Sequence, residues 1–164
     1  MTTDQFWDFI HRSGQAATDC QEHADALRVL LAKLPPEEIL AFGAELDARL
    51  AEAYRWDLWG VAYLVNGGCS DDGFEYFRLW LIAQGRDYFE AALREPERAG
   101  DRAVPGEAEC EALLYSGTAA YEERTGAEEP TSARSRRLPP EPDGEPWEED
   151  DLPRLFPDVA ARFG

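Results

Sequence analysis

The stretch Trp56-Asp57-Leu58-Trp59-Gly60-Val61-Ala62-Tyr63-Leu64-Val65-Asn66-Gly67-Gly68-Cys69-Ser70-Asp71-Asp72-Gly73-Phe74-Glu75-Tyr76-Phe77-Arg78-Leu79-Trp80-Leu81-Ile82 decides the fold. It reads as an apolar helix, a Gly-rich turn and an aromatic helix. From Trp56 to Val65 nearly every position is apolar, and a helix apolar all round is a buried one, which places it at the domain centre. Asn66-Gly67-Gly68 supplies the left-handed residues that end a helix. Ser70 is a good N-cap, and Asp71 and Asp72 fall in the following first turn, where the helix dipole favours negative charge. Phe74, Phe77, Trp80 and Leu81 share one face of that second helix, and Gly85 ends it.

Outward from this centre the period stays helical. Thr2 and Gln5 suit a capping box before Phe6, Phe9 and Ile10, and Ser13-Gly14 closes the segment. Thr18 with Gln21 repeats the signature ahead of a stripe of Leu27, Leu30, Leu31 and Leu34. Pro35-Pro36 stops that helix and starts the next, which runs to about Tyr54. Arg86 to Arg94 carries Tyr88, Phe89 and Leu93, and Glu95-Pro96 closes it. Residues 97–106 read as a polar loop, and Glu107 to Arg124 as a weaker helical pattern interrupted near Ser116-Gly117. The expectation is an all-α protein, with a single helical domain of about six helices over residues 1–126. An extended acidic, Pro-rich linker at 127–151 follows. An apolar tail at 152–164 is expected to dock back, with Trp147 taking part.

The composition excludes several classes. The 164-residue chain carries 34 Asp and Glu against 16 Lys and Arg, a formal charge of −18. Phosphate binding needs a concentrated cationic surface, so a general nucleic-acid binder is excluded, and an anionic membrane would repel the chain. The same charge suits a partner with a basic surface or mimicry of nucleic acid. The longest apolar run, Leu58 to Val65, is far short of the roughly 20 residues that span a bilayer. The chain opens without a basic start and apolar stretch, so the expected location is cytoplasmic. Cys20, Cys69 and Cys110 are odd in number and scattered, which reads as reduced thiols.

The loop Asn66 to Gly73 is the candidate site. It joins flexible backbone to the thiol of Cys69, the hydroxyl of Ser70 and the carboxylates of Asp71 and Asp72. Capping alone accounts for Ser70, Asp71 and Asp72, so a plain helix connection competes with a ligand or catalytic loop. Asp57 and Arg78 lie among aromatic residues, where a charge is expensive to bury alone; each is expected to find an opposite charge or a helix-end partner, and the two are candidates for each other. Cys20 and His23 share a helix face, yet zinc wants two more ligands, so no metal is expected. No cofactor is expected either, because neither Gly-x-Gly-x-x-Gly nor Gly-x-x-x-x-Gly-Lys occurs. A Ser-His-Asp set lacks its Gly-x-Ser-x-Gly turn.

The central string, with Gln84-Gly85-Arg86 and the N-terminal Phe6-Trp7-Asp8-Phe9-Ile10, resembles the domain-of-unknown-function family numbered 4240 over about residues 3–125. The resemblance implies a bacterial, mostly helical, uncharacterised protein and carries over no catalytic residues. The leading expectation is a small protein-binding or regulatory module. The alternatives are an enzyme or small-ligand protein with its site at Asn66–Gly73, and a nucleic-acid mimic.

Overall fold

The computed structural model describes residues 1–133 and 138–164; the part of the expected linker at 134–137 lies outside the described residues. The fold is all-helical, with nine α-helices and no strand among the described residues. The helices are α1 (Thr3–Gly14), α2 (Cys20–Leu31), α3 (Pro36–Glu52), α4 (Trp56–Asn66), α5 (Asp71–Ala83), α6 (Arg86–Arg94), α7 (Ser116–Thr125), α8 (Leu152–Leu155) and α9 (Pro157–Phe163). The count exceeds the expected six because the weak pattern before Arg124 contains α7 and the C-terminal residues form α8 and α9.

Local chemistry sets most boundaries. At α1 the Thr2 hydroxyl accepts the Gln5 N–H at 3.2 Å and the Gln5 side chain accepts the Thr2 N–H at 2.7 Å, which completes the capping box. At α2 the cap is Asp19, not Thr18: its carboxylate accepts the Glu22 N–H at 2.9 Å. Thr18 instead donates its N–H and hydroxyl to the Glu22 side chain, both at 2.8 Å. A carboxylate one residue closer to the helix outcompeted the expected pairing with Gln21. Residues 96–100 form a 3₁₀ turn that buries Ala99 and Gly100, so this stretch is not the plain polar loop its composition suggests.

The core joins α1, α2, α3 and α5 around Phe6, Leu27, Leu31, Phe42, Leu46, Phe74 and Phe77, all essentially inaccessible. Each such side chain contributes roughly 1.5–3 kcal/mol by leaving water. The helix at the centre is α5, which touches α1, α2, α3, α4 and α6, and not α4 as the apolar pattern implied. α4 is apolar all round for another reason: it is sandwiched. One side meets the body, and the other is covered by the C-terminal segment, where Leu152, Phe156 and Val159 are buried. Gly60 makes this approach possible, because a Cβ there would lie 2.6 Å from the Phe156 ring. A single parallel bridge between Arg55 and Asp143 ties the same segment to the start of α4.

The cysteines correct the sequence reading. Cys20 and Cys110 form a disulfide with Cα atoms 5.4 Å apart, and Cys69 alone is free. The first turn of α2 packs beside the residues that precede the 3₁₀ turn at Glu111–Tyr115, so two thiols 90 positions apart in sequence become neighbours. No described helix is long and apolar enough to cross a membrane.

Candidate functional site

The Asn66–Gly73 loop is built from groups that serve one another. Gly67 (φ 68°) and Gly68 (φ 120°) take the left-handed backbone that ends α4, and the Gly68 N–H returns to the Tyr63 carbonyl at 2.8 Å. Asn66 grips the backbone of Ala108 at two points: its amide donates to the carbonyl and its oxygen accepts the N–H, both at 3.2 Å. The Trp59 indole N–H donates to the Cys69 carbonyl at 2.9 Å. Ser70 accepts the Gly73 N–H at 3.2 Å and so caps α5, as its position before Asp71 and Asp72 implies.

Cys69 is half-buried. Burial first, then the negative charges of Glu109 and Asp71, push its thiol up to about 12, against an opposing pull from Arg78. A nucleophilic cysteine needs the reverse setting, with cations that favour thiolate. At neutral pH Cys69 is therefore a thiol.

Asp57 and Arg78 are not brought together as a pair. Arg55 takes the Asp57 carboxylate through two contacts, at 3.1 and 2.5 Å, and the Leu58 N–H donates to the same carboxylate at 2.7 Å. Arg55 also donates to the Leu93 carbonyl at 2.8 Å, in the last turn of α6. Arg78 is only 2 % exposed. It donates to the Leu50 carbonyl at 2.7 Å and to the Phe74 carbonyl at 3.3 Å, and its guanidinium lies over the Tyr54 and Phe74 rings at 4.9 and 4.8 Å. Leu50 is in the last turn of α3, where carbonyls lack helical partners and the dipole favours a cation. Arg78 thus closes the end of α3. A helix-end partner was one of the two expected for Arg78; which helix end supplies it is not legible near residue 78, because the carbonyl stands 28 positions away.

Asp71 and Asp72 are exposed, as are Glu109 and Glu111. Glu109 and Asp71 both act on Cys69, while Glu111 and Asp72 both act on Tyr76. The four carboxylates therefore form one acidic patch at the start of α5. Its second half, from the 107–111 stretch, was not singled out in the sequence, since only the fold sets it beside Asp71. Among the described residues no three His, Cys, Asp or Glu side chains converge to hold a metal ion.

Comparison with known proteins gives the family. The family model described as a protein of unknown function (DUF4240) matches residues 1–123. The chain belongs to this family. No curated protein and no solved structure matches it. The DUF4240 match takes in α1 to α6 and most of α7, including the whole Asn66–Gly73 loop and Arg78; α8 and α9 lie beyond it.

Proposed function

We propose that this DUF4240 protein is a protein-binding module whose acidic patch at Asp71, Asp72, Glu109 and Glu111 meets a basic face on its partner. The observation that carries the reading is how the loop's polar groups are spent. Asn66 holds Ala108, Ser70 caps α5, Asp57 is paired with Arg55 and Arg78 closes α3. Cys69 is held as a thiol. What the loop offers outward is charge, on a chain of formal charge −18, and complementary charge sets association rate and partner choice. A cytoplasmic setting and a regulatory role belong to the same reading. In that compartment the Cys20–Cys110 bond would be subject to reduction.

The test is capture from the native host at low ionic strength, followed by elution with steps of salt. A partner with a basic contact face should elete steadily as screening shortens the range of the interaction. A partner held unchanged through 1 M salt would contradict the proposal.

A further inference from the structure

The C-terminal segment lies on α4 as a short ligand lies in a groove. Leu152, Phe156 and Val159 are buried and Trp147 is half-buried, while the intervening Glu148, Glu149 and Asp150 are exposed. A few apolar anchors on an otherwise polar chain are the signature of a segment docked in a helix-lined groove.

The receiving surface is shaped for it in both backbone and side chain. The Trp56 N–H, in the first turn of α4 and without a helical partner, donates to the Asp143 carbonyl at 2.9 Å, and the Asp143 N–H donates to the Tyr54 carbonyl at 3.0 Å. The Trp147 indole N–H donates to the Trp56 carbonyl at 2.6 Å. Gly60 leaves a notch that the Phe156 ring fills, since a Cβ there would lie 2.6 Å from it. Gly100, in the 3₁₀ turn at 96–100, leaves a second: a Cβ there would lie 3.4 Å from Val159 and 3.5 Å from Phe163. The Glu97 carboxylate from the same turn accepts the N–H groups of Asp158 and Val159 at 2.8 and 3.0 Å. These bonds fix the direction and register of the segment as well as its burial. Every receiving residue lies within the matched 1–123, and the whole segment lies beyond it. The groove belongs to the family unit and its occupant does not.

We propose that α4 and the turn at 96–100 form a peptide-binding groove that reads the pattern Trp-x4-Leu-x3-Phe-Pro-x-Val. The chain's own Trp147, Leu152, Phe156, Pro157 and Val159 fill it in cis, and a partner protein's segment with the same pattern displaces them. The inference goes beyond the acidic-patch reading and uses none of its residues.

The test replaces Pro139-Pro140 by a protease site in the full chain, which is folded and then cut. The probe is a fluorescent peptide of residues 141–164, followed by anisotropy. On dilution the cut segment should leave, the body should keep its helical circular dichroism, and added peptide should rebind saturably. Phe156→Ala in the peptide should weaken rebinding about thirtyfold or more, as for a buried aromatic anchor. The uncut chain should bind the same peptide roughly a hundredfold more weakly, because the cis segment competes at an effective concentration in about the millimolar range. A peptide of unrelated sequence that keeps the five pattern residues should rebind within about tenfold of the native one. Asp71→Lys with Asp72→Lys should leave rebinding in place, which separates failure here from failure of the acidic-patch reading. A body that unfolds as the segment leaves, equal binding of the Phe156→Ala peptide, or no binding of the pattern peptide would overturn the proposal.

Discussion

The Trp147 indole N–H donates to the main-chain carbonyl of Trp56 at 2.6 Å, across 91 positions of sequence. Its ring stands edge-on to Trp56 and to Tyr63, with centroids 6.0 and 5.6 Å apart. One side chain thus satisfies a polar group and covers apolar surface on the same helix, and it does so where Gly60 lets the C-terminal segment come close.

Gly60→Ala tests that contact. The new Cβ would sit 2.6 Å from Phe156, 3.0 Å from Leu152 and 3.2 Å from the Trp147 indole. Overpacking of this kind costs about 1–3 kcal/mol, more than the helix propensity gained. The variant should melt earlier, and limited proteolysis should cut first between Leu138 and Phe163. An unchanged melting temperature would show that the segment does not pack on α4 as described.

Arg78→Leu should be far more damaging than a surface arginine change. It removes the buried donor to the Leu50 carbonyl and the cation over two rings. An unsatisfied buried acceptor costs about 1–3 kcal/mol, and the lost stacking adds about 1 kcal/mol or more. Urea denaturation measures the sum, with Arg12→Leu, on an exposed arginine, as the comparison.

The disulfide makes two measurements available. Native oxidised protein should offer a single thiol, Cys69, that alkylates slowly at neutral pH because its thiol is pushed up to about 12; reduction should raise the count to three. Cys20→Ser with Cys110→Ser opens a loop of 90 residues and should cost about 4–5 kcal/mol in the chain-entropy account. Rapid trapping of thiols in intact host cells tells which form is present there.

His23 gives a pH dependence with a definite sign. Burial lowers its pKa below the ordinary 6.5, against a hydrogen bond to Ile10 that raises it. A group depressed in the folded state contributes stability that is present above the unfolded pKa and lost as pH falls toward the folded value. The melting temperature should therefore drop below about pH 6.5. The drop should be smaller in His23→Gln, whose side chain does not titrate.

Much of this architecture was legible in local signals. Thr2 with Gln5, Pro35-Pro36, the Gly67 stop, Ser70 and both ends of α6 act within one turn of where they stand, so the sequence displays them. What was hidden depends on distant neighbours. The all-round apolar character of α4 revealed burial but not that residues after 138 cover one of its sides. Three odd cysteines suggested free thiols because pairing depends on packing between α2 and the 107–111 stretch. That Arg78 would need an opposite charge or a helix end was legible from its aromatic surroundings, but that the helix end is that of α3 was not, since Leu50 lies 28 positions away. The loop was recognised as a connection with capping chemistry, while Glu109 and Glu111, which extend its acidic face, come from another part of the chain.

The central claim is that the Asn66–Gly73 loop holds the fold together and that its outward acidic patch does the binding. Quantitative capture from host extract with wild type, Asp71→Lys/Asp72→Lys and Cys69→Ser tests it most directly. The account predicts a salt-sensitive basic partner that is lost with the charge reversal and retained with Cys69→Ser, all three proteins being folded. Loss with Cys69→Ser and retention with the charge reversal would contradict it, and would move the function from the surface to the thiol.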